Sequence, residues 1–392
     1  MKTFKSILPP LLLSLSILCI SCSKDNSSNP DSDFTNFIKT FDTGYFNLGM
    51  DLLEDENGDF VVAGYSKSED GYIHPHVLKT DKEGQEIWSH LYESDINRHR
   101  LVFKILPVDG GFVYGGNKVD GVRADNQFFL TKIDDEGEII WENFYGEYVS
   151  PALYPTFILC NDNSILMAGA NLSYDTGFEP RIYLMMIDQN GNELWQDILE
   201  IYPYYTFDVC QSSDNGFVFV YGTDPLDGRV HVLKIDSDRN IVFQNNYGIE
   251  GINSIGYKIS STSDGGFAVT GTATQVNSRN VFMLKLDSNG FEEFFNVLDT
   301  EQLDLSFDIH ETSDNRLIIT GLSNHRKLFL VKTSYDGSVT WAREYEYREY
   351  TSGQGIIETS DGGFAVSGRT ETTLTGSTDL YFMKTDPNGI VY

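Results

Sequence analysis

The stretch SDGGFAVTG occupies residues 263–271, and the nearly identical stretch SDGGFAVSG occupies residues 360–368. Each contains a tight Asp-Gly-Gly turn that leads into a short apolar strand. Aligning the chain on this turn finds the pattern seven times, at steps of 47 to 53 residues. The first strand residue after the turn is Phe60, Phe112, Ile165, Phe217, Phe267, Leu317 or Phe364. Such spacing indicates an architecture built from copies of one supersecondary unit.

Three further positions recur in the repeats. A glycine follows four residues after the Phe position, as Gly64, Gly116, Gly169, Gly271, Gly321 and Gly368, and is shifted by one to Gly222 in the fourth repeat. An aromatic-x-x-Lys-x-Asp run comes next. We expect the ammonium group of its lysine to contact a turn aspartate. A D-x-x-G turn then leads to a bulky aromatic position that holds all four tryptophans, Trp88, Trp141, Trp195 and Trp341.

The pattern therefore predicts four short strands in each repeat. The sheet formed by one repeat has two apolar faces and cannot bury both of them by itself. The predicted fold of residues 34–392 is all-β, a seven-bladed β-propeller of four-stranded blades. The last repeat ends one residue before its tryptophan position, whereas FIKTF at residues 37–41 matches WAREY at residues 341–345. The N-terminal strand is thus predicted to complete the last blade and close the ring. An open solenoid is the alternative.

The repeat unit resembles the β-propeller repeats of uncharacterised bacterial secreted and lipoprotein families. It is more distantly similar to quinoprotein (PQQ-like) repeats, which also carry a docking tryptophan, and the resemblance covers residues 37–392. Quinoprotein dehydrogenases place a vicinal cysteine pair near their cofactor, and the sequence contains no Cys-Cys. The resemblance therefore implies the propeller fold, and we predict no cofactor.

The N-terminus resembles a bacterial lipoprotein signal. Two lysines precede an apolar run of about ten residues, too short to span a membrane, and the run leads to Cys22. We predict a signal peptide over residues 1–21, lipidation of Cys22 and a flexible polar tether over residues 22–33. The polar, acidic start of the tether resembles the surface-export tag of Bacteroidota lipoproteins. The expected location is the outer membrane, exposed at the cell surface, with secretion as the alternative.

The chain carries 58 acidic and 28 basic residues, a formal net charge of −30. Such a surface repels nucleic acid and anionic lipid headgroups, so we expect contact with the membrane only through the lipid anchor. The predicted protein is a monomer whose partner is a protein or a glycan at the cell envelope. Cys160 and Cys210 fall on inner strands of adjacent repeats, where either a buried thiol or a disulfide is compatible with export.

No catalytic or phosphate-binding motif such as H-E-x-x-H, G-x-S-x-G or a Walker loop occurs in the sequence. His76 and His231 occupy a position that holds aromatic residues in the other repeats, so both are interpreted as packing residues. His74 and His99 could approach each other in neighbouring loops, but we predict no metal site.

Six positions before each turn, the inner strands carry Asp51, Phe103, Thr156, Asp208, Lys258, Asp308 and Gly355. This pattern predicts a partly acidic group near one mouth of the channel, formed by Asp51, Asp208, Lys258, Asp308 and the nearby His310. A water-filled polar channel and a ligand or cation site both fit it.

The connectors between blades are expected at the same mouth and are rich in tyrosine: Tyr148, Tyr154, Tyr202, Tyr204, Tyr205, Tyr347 and Tyr350. Tyrosine offers a flat apolar ring with a polar tip, which suits a sugar or a protein surface, although packing over the blade tops also fits. The sequence thus predicts an exported, lipid-anchored, non-catalytic binding or scaffold protein. The alternative function is a polysaccharide hydrolase or lyase with acidic residues at the channel mouth.

Overall fold

The computed structural model describes residues 35–43, 46–93, 98–119, 127–146, 155–172, 180–223, 227–275, 278–298, 303–324, 326–371 and 377–391. The predicted signal peptide, Cys22 and the tether lie outside these ranges, as do Tyr148 and Tyr154. Within the described ranges, no helix has the length and apolar character needed to cross a membrane.

The described chain forms 28 β-strands. The first repeats contain β1 (Phe37–Phe41), β2 (Phe46–Glu54), β3 (Phe60–Lys67), β4 (Ile73–Thr80), β5 (Glu86–Leu91), β6 (His99–Val108), β7 (Gly111–Val119), β8 (Gln127–Ile133) and β9 (Ile139–Tyr145). The middle repeats contain β10 (Thr156–Leu159), β11 (Ile165–Leu172), β12 (Pro180–Ile187), β13 (Glu193–Leu199), β14 (Tyr205–Gln211), β15 (Phe217–Gly222), β16 (Val230–Ile235) and β17 (Ile241–Tyr247). The last repeats contain β18 (Asn253–Ser261), β19 (Phe267–Gln275), β20 (Ser278–Leu286), β21 (Glu292–Leu298), β22 (Leu303–Glu311), β23 (Leu317–Ser323), β24 (Lys327–Thr333), β25 (Val339–Tyr345), β26 (Tyr350–Glu358), β27 (Phe364–Glu371) and β28 (Thr378–Thr385).

The strands form five separate four-stranded antiparallel sheets and one eight-stranded sheet. Each four-stranded sheet follows chain order, from β6–β9 through β22–β25, because each strand pairs with the next one along the chain. The eight-stranded sheet joins β26–β28 to β2–β5, and β1 pairs with β28. The join between the two halves is a single parallel pair, Phe46 with Thr378.

Buried apolar side chains pack between neighbouring sheets. Among the described residues, they form seven clusters, and each cluster combines side chains of two successive four-strand units. One cluster joins β2–β4 to β27 and β28, and contains Leu52 and Phe60 beside Phe382, with Phe37 of β1 added from the N-terminus. A sheet that is apolar on both faces is stable here because a neighbour covers each face.

The predicted all-β propeller is confirmed as the fold class. The predicted count of seven separate four-stranded blades is wrong. Five separate four-stranded blades are present, and the remaining eight strands form a single sheet. The strands of the first and last repeats share one sheet, since Phe46 of β2 reaches the edge of β28. β1 pairs antiparallel with β28 from Phe37 opposite Lys384 to Phe41 opposite Leu380.

The aromatic position of each outer strand contacts the D-x-x-G turn of the next repeat. Trp88 Nε1 donates to the carbonyl of Asp135 at 2.9 Å, and Trp141 Nε1 donates to that of Gln189 at 3.2 Å. A Cβ atom on Gly84 would lie 2.7 Å from the ring of Phe37, so Phe37 packs on the turn of the first repeat. The recurring turn glycine therefore provides the flat surface on which the aromatic ring rests.

The recurring lysine joins its own repeat to the following one. Lys79 Nζ lies 2.8 Å from Asp55, and Lys234 Nζ lies 2.8 Å from Asp214. The ammonium group of Lys79 also lies 5.7 Å from the ring centroid of Phe112 in the next sheet, a cation–π distance. The expectation that this lysine contacts a turn aspartate is confirmed in these repeats.

Cys160, Cys210 and His76 are buried, each in its own environment. Cys160 and Cys210 are free and buried, and they lie in different apolar clusters. His76 is buried between the hydroxyls of Ser66 and Ser89, and burial lowers its pKa to about 4. Within the described ranges, no group of three or more His, Cys, Asp or Glu side chains could hold a metal ion.

Candidate functional site

One cavity of about 580 Å³ lies where the first strand of every repeat converges. Its lining includes residues of β2, β6, β14, β18, β22 and β26 together with Thr156 at the start of β10. The volume falls within the range of about 300–1,000 Å³ that is usual for small-molecule sites. The cavity is therefore the candidate binding site.

Five of these inner strands place an extra, bulged residue into the cavity. In each, the register against the second strand slips by one residue, which leaves that residue without a partner across the ladder. The bulged residues are Met50, Phe103, Tyr257, Phe307 and Gln354, and all five line the cavity. The bulges thus supply four of the nine apolar and aromatic residues that line it.

The recurring glycine of the second strand lies opposite the bulge. A Cβ atom on Gly116 would lie 1.6 Å from the carbonyl oxygen of Leu101, and one on Gly271 would lie 1.9 Å from that of Ile255. A side chain at either position would collide with the backbone of the bulged strand. In the fourth repeat the slip lies between Tyr205 and Phe207, one residue earlier, which explains why its glycine is Gly222.

Charged side chains follow directly after several bulges and form the polar part of the cavity. The backbone N–H of Ile105 donates to Asp51 Oδ2 at 3.0 Å, and Lys104 Nζ lies 3.6 Å from the same oxygen. The pKa of Lys104 is raised above its usual value, chiefly by the negative charge of Asp51, with smaller contributions from Asp308 and Asp208. Asp51 on β2 is therefore neutralised by the neighbouring repeat.

Asp208 repeats this arrangement on the other side of the cavity. The N–H of Ile259 donates to Asp208 Oδ2 at 3.1 Å, and Lys258 Nζ lies 3.5 Å from Oδ1. The hydroxyl of Thr156 donates to Oδ1 at 2.9 Å. Asp208 consequently joins three successive repeats and has a structural role whatever its role in binding.

Asp308 differs from the other two aspartates. The backbone N–H groups of Ile309 and Ile356 donate to its two oxygens, each at 3.0 Å. Among the described residues, no lysine or arginine lies within 4.0 Å of its carboxylate. Burial raises the pKa of Asp308, against the opposing charges of Lys258 and Lys104.

The structure corrects the predicted inner-strand group in the second repeat. Counting six residues before the turn gives Phe103, whereas Lys104 is the residue aligned with Asp51 and Lys258. The reason is a shorter hairpin, because β6 and β7 are joined by only two residues, Asp109 and Gly110, between paired positions. The shared dipeptides Lys104-Ile105 and Lys258-Ile259 are the sequence signal that would have found it.

His310 does not line the cavity, although Asp308, two residues earlier on the same strand, does. Burial lowers the pKa of His310, while Asp308 and Glu358 oppose the shift. The cavity therefore brings together four of the five predicted channel residues, Asp51, Asp208, Lys258 and Asp308.

The predicted tyrosines divide into two groups. Tyr350 lines the cavity, and the guanidinium of Arg369 lies 4.8 Å from its ring centroid. Tyr202, Tyr204 and Tyr347 do not line the cavity and are exposed on connectors. The backbone of Tyr205 belongs to β14, and its side chain lies outside the described part of the structure, as do Tyr148 and Tyr154.

Two further cavity tyrosines were not among the predicted residues. Tyr257 is the bulged residue of β18, and Tyr65 belongs to β3. The prediction covered only the connectors, which excluded both. Tyr257 and Tyr65 line the cavity because of the bulges and the arrangement of the strands around it, and neither feature can be recognised by aligning the repeats.

The fold is similar to that of several solved proteins. The BP39L lectin from Burkholderia pseudomallei superposes with a TM-score of 0.58 at 6% sequence identity, over 88% of this chain and 98% of that one. Polysaccharide lyase Uly1 superposes with a TM-score of 0.54 at 10% identity, over 92% and 94% of the two chains. Puromycin hydrolase superposes with a TM-score of 0.55 at 10% identity over 86% of this chain. The matched region is only about half (53%) of the puromycin hydrolase chain.

At these identities the likeness supports the propeller fold alone. No protein-family model and no curated protein matches the chain.

Proposed function

We propose that the protein is a non-catalytic binding protein that holds the end of a glycan in the central cavity. The observation that carries the proposal is the composition of that cavity, where aromatic bulged residues such as Phe103, Tyr257 and Phe307 lie beside fixed carboxylate and ammonium groups. Flat rings pack against the apolar faces of sugars, and fixed charged groups bond to their hydroxyls. A protein partner, by contrast, would use the exposed connectors.

The state of the carboxylates favours binding over catalysis. Asp51 and Asp208 each pair with a lysine and accept a backbone N–H, so both carboxylates are held in place by contacts within the fold. The raised pKa of Asp308 is the one observation that favours an enzyme, because a general acid must be protonated near working pH. The propeller fold is also that of a polysaccharide lyase and a lectin.

Replacing Tyr257 with alanine is expected to weaken binding of the preferred oligosaccharide at least tenfold, about 1.4 kcal/mol. The substitution removes a ring from the cavity wall at a bulged position, where no ladder pairing depends on the side chain. Isothermal titration against a panel of neutral and charged oligosaccharides measures the effect. Tyr335→Ala is the matched control, because that ring is 68% exposed and does not line the cavity.

Equal loss in both tyrosine variants, or no binding to any oligosaccharide of the panel, would contradict the cavity as the glycan site. Chromatography of the same mixtures tests the alternative function. Shortened products that disappear with Asp208→Asn or Asp308→Asn would establish a polysaccharide-active enzyme instead.

Export and anchoring are the second part of the proposal and rest on the N-terminal sequence. The lipidated Cys22 and the tether would hold the propeller at the outer membrane, with its tyrosine-rich connectors available to a larger partner. Cys22→Ala is expected to move the protein from the membrane fraction to the soluble fraction of the cells that produce it. Ser23→Ala is the control, and a Cys22→Ala protein that stays in the membrane fraction would exclude the lipid anchor.

The ring is proposed to contain seven repeat units, two of which share the eight-stranded sheet, with β1 completing the last unit. Equivalent contacts between neighbouring repeats support this arrangement. Glu311 accepts from the N–H of Ser263 at 2.6 Å, and Glu54 of the first repeat accepts from the N–H of Ser360 in the last repeat at 2.6 Å. The contact that joins the fifth and sixth repeats thus recurs between the last repeat and the first.

A further inference from the structure

The inner strands contain one motif three times, and the third copy lacks the lysine that the other two contain. In each copy an aspartate accepts through Oδ2 from the backbone N–H of an isoleucine in the next repeat, at 3.0, 3.1 and 3.0 Å. The three pairs are Asp51 with Ile105, Asp208 with Ile259, and Asp308 with Ile356. In all three copies, the backbone N–H of the next repeat fixes the orientation of the carboxylate.

The residue before the isoleucine decides whether the aspartate is neutralised. Lys104 precedes Ile105, and its ammonium lies 3.6 Å from Asp51. Lys258 precedes Ile259, and its ammonium lies 3.5 Å from Asp208. Gly355 precedes Ile356, so the third copy has no side chain that could supply an ammonium group to Asp308.

The backbone of β2 explains why this position is a glycine. A Cβ atom on Gly355 would lie 3.0 Å from the carbonyl oxygen of Met50 and 3.1 Å from the Cα of Asp51. These distances are shorter than side chains normally adopt, so the approach of β2 takes the room that a lysine would need. Asp308 nevertheless lines the cavity, as Lys104 and Lys258 do.

We propose that a ligand ammonium group neutralises Asp308, and that the ligand is a sugar with a free amino group, a hexosamine. The inference rests on the proposed glycan-binding function and specifies the ligand of the same cavity. The ammonium takes the role that Lys104 and Lys258 have in the other two copies. Phe307, the residue before Asp308, lines the same cavity and provides an aromatic ring for packing against the sugar.

The charge of the surrounding groups agrees with this ligand class. Lys104 and Lys258 already contact Asp51 and Asp208, and Arg369 is held at the ring and the hydroxyl of Tyr350. Asp308 is therefore the carboxylate of the cavity that no lysine or arginine of the described residues contacts within 4.0 Å. An N-acetylated sugar brings no cation to this carboxylate, which would stay without an ion-pair partner.

The test compares two probes that differ only in acetylation, a glucosamine tetramer and an N-acetylglucosamine tetramer. Titrations are made in 0.15 M salt at a pH at which the free amines are protonated. Wild-type protein is expected to bind the glucosamine tetramer at least tenfold more tightly. Asp308→Asn is expected to abolish this preference and leave binding of the acetylated tetramer unchanged. Its amide oxygen still accepts from Ile356 of the next repeat, and the substitution loses only the contact with the adjacent N–H of Ile309.

The control variant is Glu346→Gln, which removes one carboxylate that is 74% exposed and outside the cavity. It should keep the preference, which separates a contact with Asp308 from the general attraction of cations to a chain with a formal net charge of −30. The wild-type comparison needs no variant, so it holds even if Asp308→Asn folds poorly.

Each outcome is decisive. A tenfold preference that is lost in Asp308→Asn and kept in Glu346→Gln supports the proposal. Equal binding of the two tetramers overturns the hexosamine inference while the glycan-binding function stands, and a preference that survives Asp308→Asn overturns the role of Asp308. Binding of neither tetramer, nor of any sugar in the oligosaccharide panel, overturns both proposals.

Discussion

Gly116→Ala is expected to lower the free energy of unfolding by about 4 kcal/mol or more, or to prevent folding. The added methyl carbon would lie 1.6 Å from the carbonyl oxygen of Leu101, which is backbone and cannot rotate away. Relieving the collision requires removing the bulge of β6, which would move Phe103 and Lys104 out of the cavity. Urea unfolding followed by tryptophan fluorescence measures the loss.

Gly71→Ala provides the control for this substitution. Gly71 has a φ of +86°, and no atom lies within 4 Å of where its Cβ would be. Its replacement costs only the strain of the left-handed backbone, about 1–2 kcal/mol. An equal, small effect of both substitutions would mean that the bulge relaxes easily and that the recurring glycine is not needed for it.

Deleting residues 34–42 is the second change with a large expected effect, a loss of at least about 4 kcal/mol in the free energy of unfolding. The deletion removes β1 and takes Phe37 out of the cluster that contains Leu52, Phe60 and Phe382. It also removes the carbonyl of Thr35, which accepts from Lys384 Nζ at 2.8 Å. Thermal or urea unfolding measures the loss.

Deleting residues 23–33 is the matched control, since it shortens the chain before β1 without touching any described contact. Phe37→Ala alone is expected to cost about 3 kcal/mol. Ile87→Ala, at a position 52% exposed, is expected to cost less than about 0.5 kcal/mol. An unchanged melting point after deletion of 34–42 would refute closure of the ring by β1.

Much of the fold could be predicted from the sequence because the pattern of each strand and turn recurs in several repeats. The pairing of β1 with β28 is an example, since FIKTF matches the outer strand of the sixth repeat and its Phe37 packs on the turn glycine Gly84. The shared eight-stranded sheet could not be predicted, because it depends on one backbone pair, Phe46 with Thr378, that carries no sequence signal.

The candidate site was predicted less completely than the fold, for a physical reason. A bulge adds one residue to a strand, and counting along the sequence cannot tell on which side of a turn a residue is lost. Phe103 was therefore assigned the position that Lys104 occupies. Tyr257 was missed for another reason, because only the tyrosines of the connectors were considered, although it lines the cavity. Asp51, Asp208, Lys258 and Asp308 were found because their hairpins have the common length.

The pairing of β1 with β28 joins two strands from opposite ends of the described chain. Thr35 and its partner Lys384 are 349 residues apart. At roughly 5–20 residues per second, synthesis of the intervening chain takes about 20–70 s. Contacts between such distant residues are also slow to form, because a long loop must close first. β1 therefore gains its partner strand only after nearly all of the described chain has been synthesised, and until then its backbone edge has no strand to pair with.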